Sequence, residues 1–283
     1  MTEQREGARR SEPQGTRMVD LGGYRLALAV SGTGSPTVIL ETGLGAESVE
    51  WTIVQQKIAG TRTLRYDRAN RGSSDPMSGP RTALDMVHDL ARLLQIAGAE
   101  PPYILVGHSF GGLLVRLFAQ EHPDSVAGLI LVDALHPDQF EVFGPLFPPQ
   151  NPADPPELVK ARNFWQGGWR SPDSTTEHID FSVSLGQARA VASLGSVPLH
   201  VIIAGTFLHQ QLVPPALRNK LQEHWQAQQL DFLKLSTRTT CSFALDSGHF
   251  VQRDAPSVVI DAINAMVEEV RGRPAMPLQR RAR

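Results

Sequence analysis

Short apolar runs alternate with segments of helical period along most of the chain. The segments of helical period, such as residues 83–98 and 256–270, carry apolar residues three and four positions apart. The apolar runs have strand length and little polar alternation, which is typical of strands buried on both faces. They occupy residues 37–40, 62–66, 103–106, 126–132, 199–204 and 242–245. This alternation predicts an α/β fold whose mostly parallel sheet is covered by helices on both faces.

Two segments depart from this alternation. Near the start, Gly22-Gly23 separates two apolar runs and predicts a β-hairpin with a tight turn. From His136 to about Ser196 no strand rhythm is present, and six prolines lie between Pro145 and Pro156. We interpret residues 136–196 as an inserted helical cap. The predicted core is then formed by residues 18–135 and 197–272.

The two ends of the chain are polar. Residues 1–17 contain no apolar stretch of the kind found in a secretory signal, and we expect a disordered leader there. Residues 273–283 form a basic tail that we expect to be solvated. No stretch approaches 18 uncharged apolar residues, so we expect no membrane span and a cytoplasmic location.

The amino-acid composition argues against several classes of function. The 283 residues include 27 Lys plus Arg and 29 Asp plus Glu, and this near-balance argues against a nucleic-acid partner. The single cysteine, Cys241, excludes an internal disulfide, and its position in a predicted strand favours a buried, inert thiol. None of the nine histidines has the spacing of a zinc site, so we expect neither a metal nor another cofactor.

The sharpest local signal is Gly107-His108-Ser109-Phe110-Gly111, between a predicted strand and a predicted helix. In this context G-x-S-x-G is typical of a nucleophile elbow. A strand that turns directly into a helix strains the backbone at the serine, and side chains at positions 107 and 111 would collide with the crossing chain. We therefore predict Ser109 as a nucleophile. The alternative is a glycine-rich turn with an incidental serine, and His108 is expected to pack beside the elbow.

The predicted elements and motifs together resemble those of the α/β-hydrolase fold family. The resemblance extends from Thr37 through the last helix, and its motifs are Thr42-Gly43-Leu44-Gly45, residues 67–75, the elbow, and Asp246-Ser247-Gly248-His249-Phe250. It implies an eight-stranded sheet and a triad of serine, acid and histidine. A serine hydroxyl needs a base to become nucleophilic. His249 follows the last predicted strand, where the chain order of this family puts its base.

The acid of the triad departs from the commonest family pattern, in which an aspartate follows the strand after the cap. Here residues 204–213 contain no carboxylate. Asp133 follows an earlier strand, at a position that some members of the fold use, and we predict it as the acid that orients His249. Asp246 is the rival. It lies only three residues before His249, so its loop would have to fold back sharply, and a turn role fits it better.

Ester cleavage also needs N–H donors for the developing oxyanion. The N–H of Phe110 follows the nucleophile directly, and the family resemblance makes the N–H of Leu44 the second donor, although Thr42 replaces the usual histidine. A structural salt bridge is favoured over substrate contact for Glu41 and Arg68. Aromatic residues are expected to line an apolar substrate pocket, with Phe143, Trp165 and Phe207 as its main contacts and Phe140, Phe147, Phe164 and Trp169 as further candidates.

We therefore expect a cofactor-independent serine hydrolase that cleaves the ester of a small, partly apolar substrate through an acyl-enzyme. One alternative is an aminopeptidase or amidase similar to the proline iminopeptidases, since acidic cap residues such as Asp138, Glu141, Asp154 and Glu157 could hold a free amine. Another is a binding protein that keeps the fold without turnover. The expected partner is a small-molecule ester or amide. Homodimer formation is left open.

Overall fold

A single sheet organises the residues that a computed structural model describes, 15–206 and 213–272. The strands lie side by side in the order β1-β2-β4-β3-β5-β6-β7-β8. The pairs β1–β2 and β2–β4 are antiparallel, and the other pairs are parallel. The strands are β1 (Thr16–Asp20), β2 (Arg25–Ser31), β3 (Thr37–Glu41), β4 (Arg62–Tyr66), β5 (Tyr103–His108), β6 (Val126–Val132), β7 (Leu199–Ala204) and β8 (Thr239–Ala244). The predicted eight-stranded, mostly parallel sheet is confirmed.

Helices cover both faces of this sheet, as the uninterrupted apolar runs of its strands require. In β3, Ile39 points to one face, while Val38 and Leu40 point to the other and pack with the last helix. The helices in the described ranges are α1 (Thr52–Lys57), α2 (Ala83–Ile96), α3 (Phe110–Glu121), α4 (Gln139–Phe143), α5 (Pro156–Gln166), α6 (Phe181–Arg189), α7 (Pro215–Asp231), α8 (Val251–Asp254) and α9 (Pro256–Val270).

Helix α2 shows how local sequence sets these bounds. Thr82 and Asp85 form a capping box at its start, in which each side chain accepts a hydrogen bond from the backbone of the other residue. Beyond its end, Gly98 adopts a φ of 60°, the left-handed conformation that suits glycine after a helix. The helix therefore ends two residues before the end of the helical segment predicted at residues 83–98.

The segment predicted as a cap contains helices α4, α5 and α6 and short 3-10 turns. Its aromatic residues pack on one another, with the Phe140 and Trp169 rings stacked at 5.0 Å between centroids. Phe140 also meets Phe181, which contacts Phe110 at the start of α3. Aromatic packing therefore continues from this segment to the start of α3.

Several sequence-based expectations differ from the structure. Cys241 is exposed rather than buried, because it lies on β8, the edge strand that pairs only with β7. Strand β1 begins at Thr16, two residues before the predicted core, and helices α1 and α8 were not predicted. Most of the predicted leader and the tail at 273–283 lie outside the described residues. Within the described ranges no helix has the length and apolar character needed to cross a membrane.

Candidate active site

Ser109 occupies a tight turn between β5 and α3. Its φ of 52° and ψ of −120° form a strained backbone conformation. A Cβ atom at Gly107 would lie 2.5 Å from the Gly111 carbonyl oxygen, and one at Gly111 would lie 2.5 Å from the Thr42 carbonyl oxygen. The glycines of the motif are therefore required by the close approach of neighbouring backbone. The Ser109 N–H donates to the Val132 carbonyl at 3.1 Å, which ties the turn to β6.

A cavity of about 540 Å³ opens above Ser109. His249, Leu44 and Phe110 share its wall with the serine, and Gln139 adds an amide. The rest of the wall is mainly apolar and comes from Leu135 after β6, from the segment predicted as the cap, from α7 and from the residues after β8. Its apolar members are Leu135, Phe140, Phe164, Trp165, Trp225 and Phe250.

Of the two predicted pocket contacts that the structure describes, Phe143 and Trp165, only Trp165 is found on the cavity wall. Phe143 is not among the lining residues, so the expectation that it contacts the substrate was wrong. It is fully buried behind the wall, against Trp165 and Trp225, because its side of α4 faces a separate apolar cluster between the cap and α7. Phe207 lies outside the described residues.

The imidazole of His249 is held by Asp133. His249 Nδ1 lies 2.7 Å from Asp133 Oδ2. The carboxylate is completely buried at the end of β6, where Asp133 adopts a φ of 44°. Its other oxygen, Oδ1, accepts hydrogen bonds from the Ala204 N–H at 3.0 Å and from the Trp225 indole N–H at 2.8 Å. A buried carboxylate with this many donors is fixed in one orientation.

Asp246, the rival acid, is exposed in the turn after β8. The hydrogen bond from the His249 imidazole to a carboxylate goes to Asp133 instead. The structure therefore brings Asp133 and His249 together and places His249 and Ser109 on the wall of one cavity.

His108, the residue before the nucleophile, supports the loop that carries His249. Burial, followed by the nearby His249, lowers the pKa of His108 well below 6.5, so this imidazole is neutral. Its Nε2 lies 2.8 Å from the His249 carbonyl oxygen, and its Nδ1 lies 3.2 Å from the Gln252 amide nitrogen. These contacts fit a tautomer that donates from Nε2 and accepts at Nδ1. His108 thus packs beside the elbow, as predicted.

The backbone of the loop after β3 approaches the nucleophile closely. A Cβ atom at Gly43 would lie 2.9 Å from His108 Nδ1 and 3.2 Å from Ser109 Cβ. Leu44 and Phe110 both line the cavity, and neither N–H has a hydrogen-bond acceptor among the described residues. Two backbone donors are thus available beside Ser109 for a bound oxygen atom.

Three buried charges lie behind this loop. Arg68 donates to Glu41 Oε1 at 2.6 Å and forms a bidentate pair with Glu177, at 2.6 and 3.0 Å. Burial raises the pKa of the Glu41 carboxyl, and Arg68 opposes that shift. Burial alone would disfavour the charged guanidinium, but Glu177 and Glu41 together raise the pKa of Arg68. Glu41 and Arg68 are therefore each part of a structural salt bridge, as predicted, and here they pair with each other.

Sequence reasoning missed Glu177, Trp225 and Gln139. Glu177 and Gln139 lie in the segment without strand rhythm, and Trp225 lies on a helix 92 residues from the aspartate that it contacts. No local pattern marks such long-range partners. Gln139 is only 2% exposed, and its Oε1 has no hydrogen-bond partner among the residues that the structure describes. Within residues 15–206 and 213–272, no cluster of three or more His, Cys, Asp or Glu side chains has a metal-binding arrangement.

Comparison with known proteins agrees with this architecture. The family described as the α/β hydrolase fold matches residues 36–163. The protein YqjL of Bacillus subtilis is 27% identical over 234 residues, which cover 82% of this chain and 83% of YqjL. A probable transporter of Hormonema carpetanum, efuK, is 38% identical over 125 residues, which are 41% of this chain but only 18% of that protein.

A solved structure of a thermophilic esterase from Thermogutta terrifontis superposes with a TM-score of 0.61 at 21% identity. The match covers 90% of this chain and 98% of the esterase. At this identity the likeness concerns the fold. The sheet order, the nucleophile turn and the family match agree with one another, and the chain has the α/β-hydrolase fold.

Proposed function

We propose that this hydrolase-family protein is a serine esterase that acts through an acyl-enzyme. The observation that carries the proposal is the 2.7 Å contact between His249 Nδ1 and a fully buried Asp133, with Ser109 on the wall of the same cavity. A carboxylate that accepts a hydrogen bond from Nδ1 of a histidine orients the ring so that Nε2 can accept the proton of a nucleophile. The strained turn at Ser109 supports the nucleophile role.

In the proposed reaction, Ser109 Oγ bonds to the ester carbonyl carbon while its proton passes to His249 Nε2. The carbonyl oxygen becomes an oxyanion that accepts hydrogen bonds from the N–H groups of Leu44 and Phe110. Collapse of this intermediate breaks the ester bond, and the leaving alcohol takes the proton from His249. Water then repeats the sequence on the acyl-enzyme and releases the carboxylic acid. Asp133 stays ionised and stabilises the imidazolium of His249.

The cavity supports a substrate that is mainly apolar with one hydrogen-bonding group. Its aromatic wall favours an aliphatic or aromatic acyl or alcohol part. Gln139 is the exception, because its buried amide oxygen has no partner. An unpaired buried amide costs about 1–3 kcal/mol, which a hydroxyl or amide of the substrate would recover. We therefore propose an ester whose apolar part carries such a group.

The aminopeptidase alternative has less support. Two of the acidic cap residues, Asp138 and Glu141, pair with Arg189, and Asp154 pairs with Arg162. None of them lines the cavity. Among the lining residues that the structure describes, Asp254 is the one carboxylate, and it accepts a hydrogen bond from the Gly248 N–H at 3.0 Å. A free substrate amine would thus lack the group of carboxylates that this alternative needs.

The proposal is tested by steady-state hydrolysis of p-nitrophenyl acetate, butyrate and octanoate and of the matching anilides. We expect ester turnover that exceeds anilide turnover and that disappears in Ser109→Ala. Anilide turnover above ester turnover would favour an amidase. Ester turnover unchanged in Ser109→Ala would contradict the nucleophile, and no turnover in folded wild type would favour a binding protein.

A further inference from the structure

Two buried side chains hold three successive peptide groups of the loop after β3. Arg68 donates to the Thr42 carbonyl at 2.8 Å and, from Nη2, to the Gly43 carbonyl at 2.7 Å. Glu177 Oε1 accepts a hydrogen bond from the Gly45 N–H at 2.8 Å. Both side chains are almost completely excluded from solvent. The conformation of the loop is therefore fixed by hydrogen bonds with Arg68 and Glu177 in addition to those within its own turn.

The contact with the Gly43 carbonyl also determines where the Leu44 N–H points. These two groups belong to one planar trans peptide, so the N–H faces away from the oxygen. Because Arg68 holds that oxygen on the buried side, the Leu44 N–H is directed to the opposite side, where Leu44 lines the cavity. The next peptide is fixed through the Gly45 N–H, and Gly45 has a φ of 69° that other residues adopt only with strain.

The second of these side chains, Glu177, comes from the segment predicted as the cap. This segment is docked on the body through backbone hydrogen bonds, from the Arg81 N–H to the His178 carbonyl at 2.8 Å and from the Asp180 N–H to the Arg81 carbonyl at 2.9 Å. Glu177 then reaches both the Arg68 guanidinium and the loop. The loop beside Ser109 is thereby connected directly to the cap.

We infer that Arg68 and Glu177 are positioning residues of the oxyanion hole, and that the cap, through Glu177, sets the orientation of the Leu44 N–H. This inference rests on the proposed esterase function. Neither side chain touches the substrate in this account. Their effect is on the transition state, because the oxyanion forms only after Ser109 attacks and the ground-state ester makes little use of the Leu44 donor.

The test compares Glu177→Gln with Ser184→Ala. The glutamine keeps an oxygen for the Gly45 N–H but presents an N–H group to the Arg68 guanidinium, so the bidentate pair is lost. Ser184 is a matched control, since it is a buried cap residue whose hydroxyl accepts a hydrogen bond from the Ala83 N–H of the core at 2.9 Å, away from the loop. Four quantities are measured for each protein: kcat and KM on an ester, inhibition by an alkyl boronic acid, and inhibition by the product alcohol.

For Glu177→Gln we expect kcat to fall by about 10- to 100-fold, which is part of the effect of losing one oxyanion donor. Binding of the boronic acid, which forms a tetrahedral adduct, should weaken by a similar factor. KM and product inhibition should change by less than about twofold, since they report ground-state binding. Ser184→Ala should show wild-type values for all of these quantities.

The inference is overturned if Glu177→Gln loses no more activity than Ser184→Ala, or if its loss appears in KM and product inhibition alone. Should Glu177→Gln fail to fold, Arg68→Lys gives the same comparison, because an ammonium with three N–H donors cannot replace the contacts of the guanidinium with two carboxylates and two carbonyls. Wild type that hydrolyses no ester would instead overturn the proposed function, and with it the inference.

Discussion

At the scale of single residues, Asp133 has the most demanding environment of the site. It is fully buried, adopts a left-handed backbone conformation, and receives hydrogen bonds from His249, Ala204 and Trp225. Such a residue carries backbone strain and the cost of burying a charge, both of which persist only where the surroundings compensate for them. These properties fit a residue that orients a histidine.

Replacing Asp133 by asparagine should lower kcat by on the order of 10³ to 10⁴, because the amide favours the wrong tautomer of His249. The change is nearly isosteric, so the fold should remain. Asp246→Asn is the matched control and should leave kcat close to wild type, since Asp246 is exposed. Steady-state ester hydrolysis measures both variants. Loss of activity in Asp246→Asn with an active Asp133→Asn would reverse the assignment.

Gln139 gives a second prediction at this scale. Gln139→Leu removes a buried amide whose oxygen has no partner, so hydrolysis of a purely aliphatic ester should be retained or improved. Hydrolysis of an ester with a hydroxyl on the same chain should fall, by about 10-fold or more in kcat/KM relative to the aliphatic ester. The ratio of the two kcat/KM values is the measurement. A ratio equal to that of wild type would show that Gln139 does not contact the substrate.

At the scale of elements, parallel strands explain why distant residues meet. The loop after β3, the turn after β5, Asp133 after β6 and His249 after β8 all follow carboxyl ends of parallel strands, which lie at one edge of the sheet. The sequence predicts this assembly because each apolar run is followed directly by its motif. The same pairing places His200 of β7 beside Thr240 and Ser242 of β8.

The β7–β8 pair should make the fold sensitive to acid. Burial lowers the pKa of His200 from 6.5 to about 4. The His200 imidazole then binds a proton more tightly in the unfolded chain than in the folded protein. His200 therefore leaves the free energy of unfolding unchanged above pH 6.5 and lowers it as the pH falls from 6.5 toward 4. Protonation of His200 lowers the free energy of unfolding by about 3 kcal/mol at most.

His200→Gln should therefore lose less of its free energy of unfolding than wild type between pH 7 and pH 5. His108, whose pKa burial also lowers, contributes in the same direction and remains in the variant. Urea unfolding at several pH values measures the difference. Parallel pH profiles for wild type and His200→Gln would contradict the prediction.

At the scale of the whole molecule, sequence and structure agree where the pattern is local. The sheet, the nucleophile turn and the helical segment near residues 83–98 follow from apolar periodicity and glycine sterics. Contacts between distant segments could not be predicted in this way. Trp225 on Asp133 and Glu177 on Arg68 join residues 92 and 109 positions apart, and neither belongs to a recognisable motif.

The errors have the same origin. Cys241 was expected to be buried because it lies in a predicted strand, but a strand's place at the edge of the sheet depends on the order of all eight strands. Phe143 was expected at the substrate because it is aromatic and lies in the cap. It packs instead in a cluster that α7 completes, an element about 70 residues later in the chain.

The central claim is that Ser109 is a nucleophile activated by His249 beside a formed oxyanion hole. The most direct test is the intact mass of wild type and of Ser109→Ala after incubation with a fluorophosphonate, which requires an activated serine but no knowledge of the substrate. We predict a single adduct on wild type and none on Ser109→Ala. An adduct of equal yield on both proteins, or none on folded wild type, would contradict this prediction.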